Sequence, residues 1–123
     1  MFNRITFSAE ERKLIMDELC QQEEKAALVE REFCGGKLCG IGGVIFRHIF
    51  FPSFFLVVGK KFQNKGIGQK LTSMVLEKWR KPLLLTVPID NKAAMHIYEK
   101  AGFRRIAPWR KLRGKKMVLM AKI

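Results

Sequence analysis

Around Gly66 the hydrophobic pattern of the chain changes period, and that change limits the fold more than any other feature. Upstream, Phe54 to Val58 is a short continuous apolar run, the pattern of a strand buried on both faces and central in its sheet. Downstream, Ile67, Leu71, Met74, Val75 and Trp79 recur at helical spacing as far as Lys81-Pro82, where proline ends the helix. A buried strand joined through a Gly-x-Gly turn to an amphipathic helix requires a mixed α/β domain. The succession then repeats. Leu83 to Val87 reads as a second buried strand, and Asp90 or Asn91 caps a helix over Lys92 to Lys100 that ends at a left-handed Gly102.

The flanks supply the rest of the sheet. Ser8-Ala9-Glu10-Glu11 is a capping box, and Leu14, Ile15 and Leu19 continue it as a helix to about Cys20 or Glu23. From Ala26 to Phe33 the period is two, with Ala27, Val29, Arg31 and Phe33 on one face and Leu28, Glu30 and Glu32 on the other. Gly35-Gly36 then predicts a tight hairpin into a strand from Leu38 to His48, because adjacent glycines accept positive φ. Pro52 marks a break before Phe54. A strand from Phe103, a turn at Arg113-Gly114 and a strand from Met117 to Lys122 close the chain. The order is a β-hairpin followed by β-α-β-α-β-β, read as one domain over residues 1–123 with no linker or repeat.

Composition excludes several classes. The apolar runs Gly43 to Phe46 and Ile49 to Val58, the latter broken by Pro52, fall short of the roughly 20 residues a membrane span needs. Met1 to Glu11 reaches acidic residues before any apolar stretch, unlike a secretory leader, so the expected location is the cytoplasm. Cys20, Cys34 and Cys39 match no metal-ligand spacing and read as reduced, packed thiols, although Cys34 and Cys39 can face each other across the hairpin. No metal is expected. The charge is asymmetric: residues 33–123 hold 19 Lys and Arg against Glu77, Asp90 and Glu99, a net of +16 within a chain total of +13. Such a field attracts a phosphorylated cofactor, an acidic substrate, nucleic acid or an anionic surface, or serves only as a solvated face.

Gln63-Asn64-Lys65-Gly66-Ile67-Gly68 lies where a strand hands over to a helix. Two glycines let a ligand approach the backbone, and the unpaired N–H groups of the first helical turn with the helix dipole make an anion cradle suited to pyrophosphate. A Walker loop is excluded, because Gln69-Lys70 follows Gly68 where Lys-Ser/Thr is required. A dinucleotide fingerprint is excluded too, since position 71 is Leu.

The second informative stretch is Asn91, Ala94, Tyr98, then Gly102-Phe103. The pair Gln-x-x-Gly-x-Gly after an apolar strand and Asn-x-x-Ala-x-x-x-Tyr-x-x-x-Gly-Phe about 25 residues later resembles the GNAT superfamily of acetyl-CoA-dependent N-acetyltransferases, from about Phe54 to Phe103. The resemblance implies a GNAT-like α/β fold: a mixed, mostly antiparallel sheet with a central splayed pair of parallel strands, flanked by helices. It implies acetyl-CoA as cosubstrate and an amine acceptor attacked directly in a ternary complex. Leu56, Val57 and Val58 resemble the strand whose backbone pairs with the pantetheine arm. Gln63, Asn64, Lys65, Gly66, Ile67, Gly68 and Gln69 match the pyrophosphate loop and the start of its helix, with backbone N–H groups as donors and Lys65 adding charge. Asn91 matches the residue that hydrogen-bonds the cofactor arm. Tyr98, the one Tyr of the chain, matches the tyrosine that donates a proton to the departing thiolate, a role compatible with a phenol pKa of about 10. Without a ligand, Tyr98 is an amphipathic packing residue and Asn91 a helix cap.

The chain departs from the family pattern in three ways. The strand Phe54 to Val58 has no carboxylate, with Ser53 the nearest polar residue, so the base that deprotonates the amine is open among Glu30, Glu32 and His48; His96 is expected to be exposed. The proline common just after that strand is missing at Val58-Gly59-Lys60-Lys61. The part preceding the hairpin is short, which implies an acceptor cleft that is open or completed by a second subunit in a homodimer. The basic run from Arg104 to Lys116 either holds the 3′-phosphate or protects a strand edge. Two other classes stay open: an acyl-CoA sensor without turnover, and a basic nucleic-acid-binding protein. Against the latter, no recognised nucleic-acid motif is present.

Overall fold

The computed structural model describes residues 5–6, 25–48, 51–112 and 114–123. The helix expected after Ser8, and Cys20 with it, lies outside those residues. Ile5–Thr6 (β1) pairs antiparallel with Lys25–Ala26 (β2) in a small two-stranded sheet. The main sheet has six strands: Leu28–Cys34 (β3), Lys37–His48 (β4), Phe51–Val58 (β5), Leu83–Pro88 (β6), Arg104–Leu112 (β7) and Lys115–Lys122 (β8). Their order is β3-β4-β5-β6-β8-β7. Every pairing is antiparallel except β5 with β6, which are parallel and in register only at Ser53 and Leu84. Beyond that point the two strands splay apart.

The expected hairpin turn forms at Gly35 and Gly36, whose φ values are +57° and +82°. The single strand expected from Ala26 to Phe33 is instead two, β2 and β3, with a break at Ala27, whose N–H donates to the Val44 carbonyl of β4 at 2.8 Å. Pro52 does not break the chain; it stands second in β5, opposite Phe46. Gly59 N–H bonds the Cys39 carbonyl on β4, and donors alternate along a strand, so position 52 has its nitrogen turned away from β4 and its missing N–H costs that ladder nothing.

Two helices pack on the sheet, Ile67–Lys78 (α1) and Lys92–Lys100 (α2). The first ends three residues before Lys81, with the Trp79 N–H still bonded to the Val75 carbonyl. It lies so close to β4 that a Cβ at Gly40 would stand 2.9 Å from Leu71 Cδ1. The glycine therefore lets Leu71, fully buried with Cys39 and Ile67, reach the strand, a contact for which Leu71→Ala would cost about 2–5 kcal/mol. Gly102 (φ +107°) closes α2 as expected, its N–H on the Glu99 carbonyl. The main core lies between both helices and β4, β5, β6 and β8, and Phe54, Tyr98 and Phe103 meet in it with ring centroids 5.8 to 6.0 Å apart.

Candidate functional site

The splay opens a crevice in the centre of the sheet. Since Gly59 N–H points at β4, the peptide groups of Val58 and Leu56 point the other way, into the gap that β6 has vacated. A strand edge without a strand partner is a template for any extended ligand carrying amides. The sequence reading of β5 and β6 as buried on both faces needs correction on this point. Leu56, Val58, Leu84, Thr86 and Pro88 are half-buried and alternate with buried neighbours, because they line this opening, where Leu56 and Val58 also pack against Cys39, Ile67 and Leu71.

Two cavities share it. One of about 280 Å³ is bounded by Leu56, Val57, Val58, Gln63, Asn64 and Gly68 on one side and by Thr86, Asn91, Ala94, Ile97 and Tyr98 among others on the opposite side. A second, of about 90 Å³, is bounded by Ser53, Leu56, Leu84, Thr86, Tyr98, Trp109 and Leu119 among others. The two meet at Leu56, Thr86 and Tyr98. Tyr98 is 7% exposed, and its aromatic neighbours fix the ring. Burial pushes its phenol well above the usual tyrosine value, so the group stays protonated throughout the neutral range.

The loop before α1 has the shape its glycines predict. Asn64 and Gly66 both have positive φ, +63° and +79°, an αL conformation that Asn and Gly tolerate. Gly66 is the N-cap of α1, and no side chain caps the helix; no acidic residue stands in its first turn. The first N–H groups of α1 therefore face outward with the positive end of the helix dipole. A Cβ at Gly68 would lie 3.3 Å from Leu56 Cδ2 and 3.5 Å from Ile97 Cδ1, in the crevice itself, so a glycine there keeps the cradle open. Gln63 reaches back, its Nε2 donating to the Val58 carbonyl at 3.2 Å, and ties the loop to β5. Lys65 Nζ sits 5.9 Å over the Phe62 ring, while Gln69 is exposed. The Ile67 side chain is 8% exposed and packs with Leu71, which leaves only its backbone for a ligand.

Asn91 is the N-cap of α2. Its Oδ1 accepts the Ala94 N–H at 3.2 Å, and it borders the larger cavity. The carboxylates suggested as a base are elsewhere. Glu30 pairs with Lys78 Nζ at 2.9 Å and Glu32 with Lys70, both against α1, and neither lines either cavity. The His48 side chain lies outside the described residues, and His96 is exposed. Besides Tyr98, Ser53 and Thr86 bring hydroxyls to the smaller cavity. Sequence reasoning placed Thr86 in the strand before Asn91 without giving it a role and passed over Trp109; both are brought in by strand pairing, Thr86 opposite Leu119 and Trp109 opposite Met117. None of the described residues of the basic run 104–116 lines the larger cavity.

A family model described as acetyltransferase (GNAT) domain matches residues 8–123. Among solved structures, the chain is similar to an IAA acetyltransferase from Bacillus cereus ATCC 14579 (TM-score 0.75, 17% identity, covering 99% of this chain and 97% of that one). It is also similar to a GNAT-family acetyltransferase from Streptococcus pneumoniae (TM-score 0.68, 25% identity, 96% and 77%). A third is a GNAT-family acetyltransferase from Elizabethkingia anophelis with acetyl-CoA bound (TM-score 0.69, 17% identity, 98% and 96%). No curated protein matches it. Since the family model spans nearly the whole sequence, the chain belongs to the acetyltransferase (GNAT) domain family, the acyltransferases that draw on acetyl-CoA.

Proposed function

We propose that this chain is an N-acetyltransferase that moves the acetyl group of acetyl-CoA to a primary amine by direct attack within a ternary complex. The observation that carries the reading is the meeting of the two cavities at Tyr98. The larger one has the features a phosphorylated, amide-bearing donor needs: the Leu56 peptide groups and the Val58 N–H turned into the gap, an uncapped helix start at Gly66, and Asn91 opposite. The smaller one admits a narrow group such as an aminoalkyl end and offers hydroxyls at Ser53 and Thr86.

In this reading acetyl-CoA supplies the thioester. The loop 63–68 holds its pyrophosphate through backbone N–H groups, and β5 holds the arm. The amine enters neutral, its proton lost to bulk water, and the Ser53 and Thr86 hydroxyls at the smaller cavity can accept a hydrogen bond from its remaining N–H groups. Attack forms the C–N bond and breaks the C–S bond, the nitrogen loses one proton, and the departing sulfur gains one from Tyr98. Because burial makes the phenol a weaker acid, Tyr98 delivers its proton only as the new ammonium returns one to it, so the two transfers are coupled. Among the described residues no carboxylate lines either cavity, so the rate follows the neutral fraction of the acceptor and rises with pH towards the amine pKa.

The test is thiol release over a panel of primary amines with wild type and Tyr98→Phe. The substitution keeps the ring packed between Phe54 and Phe103 and removes only the hydroxyl. A fall in kcat of about 100-fold, within the range for a lost general acid, with acetyl-CoA affinity unchanged, supports the reading. Saturable acetyl-CoA binding with no thiol release from any amine would replace it with a sensor that binds without turnover.

A further inference from the structure

The smaller cavity, at about 90 Å³, can hold the reacting end of an acceptor but not its body. Beside it, on the outer part of the sheet, lies a groove of about 640 Å³ formed by β7, the start of β8 and Ile89. Trp109 lines both, so the groove continues the acceptor cavity outward. Its floor is apolar and open: Ile106 is 57% exposed, Ile89 45% and Trp109 40%. Its rim is cationic, with Arg110, Lys111 and Lys116 exposed, while Arg105 stands 3.7 Å from Glu99. No acidic residue follows Glu99 in the sequence.

We infer that this groove seats the body of the acceptor, and that the acceptor is an acidic polypeptide whose terminal or side-chain amine reaches past Trp109 to the smaller cavity. The inference rests on the acetyltransferase reading above and adds the substrate class. Three observations select the occupant. The rim requires a partner with negative charge, which argues against a second copy of this chain, since two such faces would repel. The apolar floor requires hydrocarbon side chains between those charges, which a purely ionic ligand lacks. Finally, β7 ends the sheet, and the outer edge of a terminal strand offers N–H and C=O groups to an extended peptide, here interrupted at Pro108, which has no N–H. Nucleic acid meets the first requirement alone, because β7 and β8 carry a single aromatic, Trp109, where a stacking platform needs several.

The experiment uses the full chain and two peptides of equal length with a free N-terminal amine and one central Leu. One is rich in Asp and Glu; in the other these are Asn and Gln. Thiol release gives KM and kcat, and anisotropy of the labelled peptides gives binding without acetyl-CoA. Wild type is expected to show a KM at least tenfold lower for the acidic peptide, with the gap closing at high salt. The double variant Arg110→Glu, Lys111→Glu should raise that KM at least tenfold while leaving kcat, turnover of a short alkylamine and acetyl-CoA affinity unchanged. Equal KM values for the two peptides, or a KM indifferent to the charge reversal, would overturn the inference. So would a single-stranded oligonucleotide that binds more tightly than the acidic peptide and competes for the same residues. If no amine is acetylated at all, the catalytic reading fails separately, and the anisotropy arm still decides whether the groove prefers the acidic peptide.

Discussion

Gly66 and Gly68 differ in what each protects, and alanine at each position separates binding from folding. At Gly68 the backbone is helical, so alanine gains about 1 kcal/mol of helix propensity. Its Cβ would stand 3.3 Å from Leu56 Cδ2 and 3.5 Å from Ile97 Cδ1, close enough that the Leu56 side chain must give by a few tenths of an ångström and return part of that gain. The stability of Gly68→Ala is thus expected within about 1 kcal/mol of wild type. The new methyl occupies the crevice where a ligand approaches the first turn of α1. Pushing an anion off two N–H donors forfeits about 1.5 kcal/mol or more for each, in all about 3 kcal/mol, or roughly 100-fold in Kd. At Gly66 the reverse holds. Nothing lies within 4 Å of its would-be Cβ, but φ is +79°, so alanine costs about 1 kcal/mol of stability and is expected to change affinity less than about fivefold. Urea unfolding and calorimetric titration with acetyl-CoA measure the two effects. Wild-type affinity in Gly68→Ala, or losses of stability and affinity that run in parallel for both variants, would refute the assignment of the cradle.

Glu30→Gln and Glu32→Gln should leave kcat and its pH profile unchanged, because both carboxylates are paired with lysines on α1; a tenfold loss in either would make that residue the base. Each variant should cost less than about 1 kcal/mol in stability, given the exposure of the lysine partners. Cys34 and Cys39 have sulfurs 2.6 Å apart, and burial together with the neighbouring Cys34 pushes the Cys39 thiol from 9.0 up to about 11. Alkylation of the native protein at pH 7 followed by peptide mapping should therefore label Cys34 well before Cys39, and equal rates would contradict the burial argument. The same shift makes the folded state hold its proton where the unfolded thiol has lost it. Its contribution, about 3 kcal/mol, is present below pH 9 and lost as the pH rises towards 11; urea midpoints in Cys39→Ser should lack that slope.

Legibility in the sequence followed the range of the interactions. The caps of α2, the Gly35-Gly36 turn and the change of period at Gly66 depend on neighbours in sequence, and each formed where its residues indicated. Pro52 misled because its cost depends on which side of β5 faces β4, a matter of register. The carboxylates misled for a related reason: alternation put Glu30 and Glu32 on one face, but only the packing of α1 against that face decides that Lys78 and Lys70 meet them. Thr86 and Trp109 carried no local signal, since they reach the site through pairings with residues more than 30 and 8 positions away along the chain, Leu119 and Met117 respectively. The turn 63–68 was legible because two glycines and a helix start are a local device; the smaller cavity was not, because its walls come from four strands and a helix brought together by the fold.

The most direct test is a crystal structure of the full chain grown with acetyl-CoA. The account predicts the arm between β5 and β6, bonded to the peptide groups of Leu56 and Val58, with pyrophosphate on the N–H groups of residues 64–68 and the thioester sulfur within hydrogen-bond reach of the Tyr98 hydroxyl. Acetyl-CoA bound instead along the basic β7–β8 face, with the splay closed or empty, would contradict it.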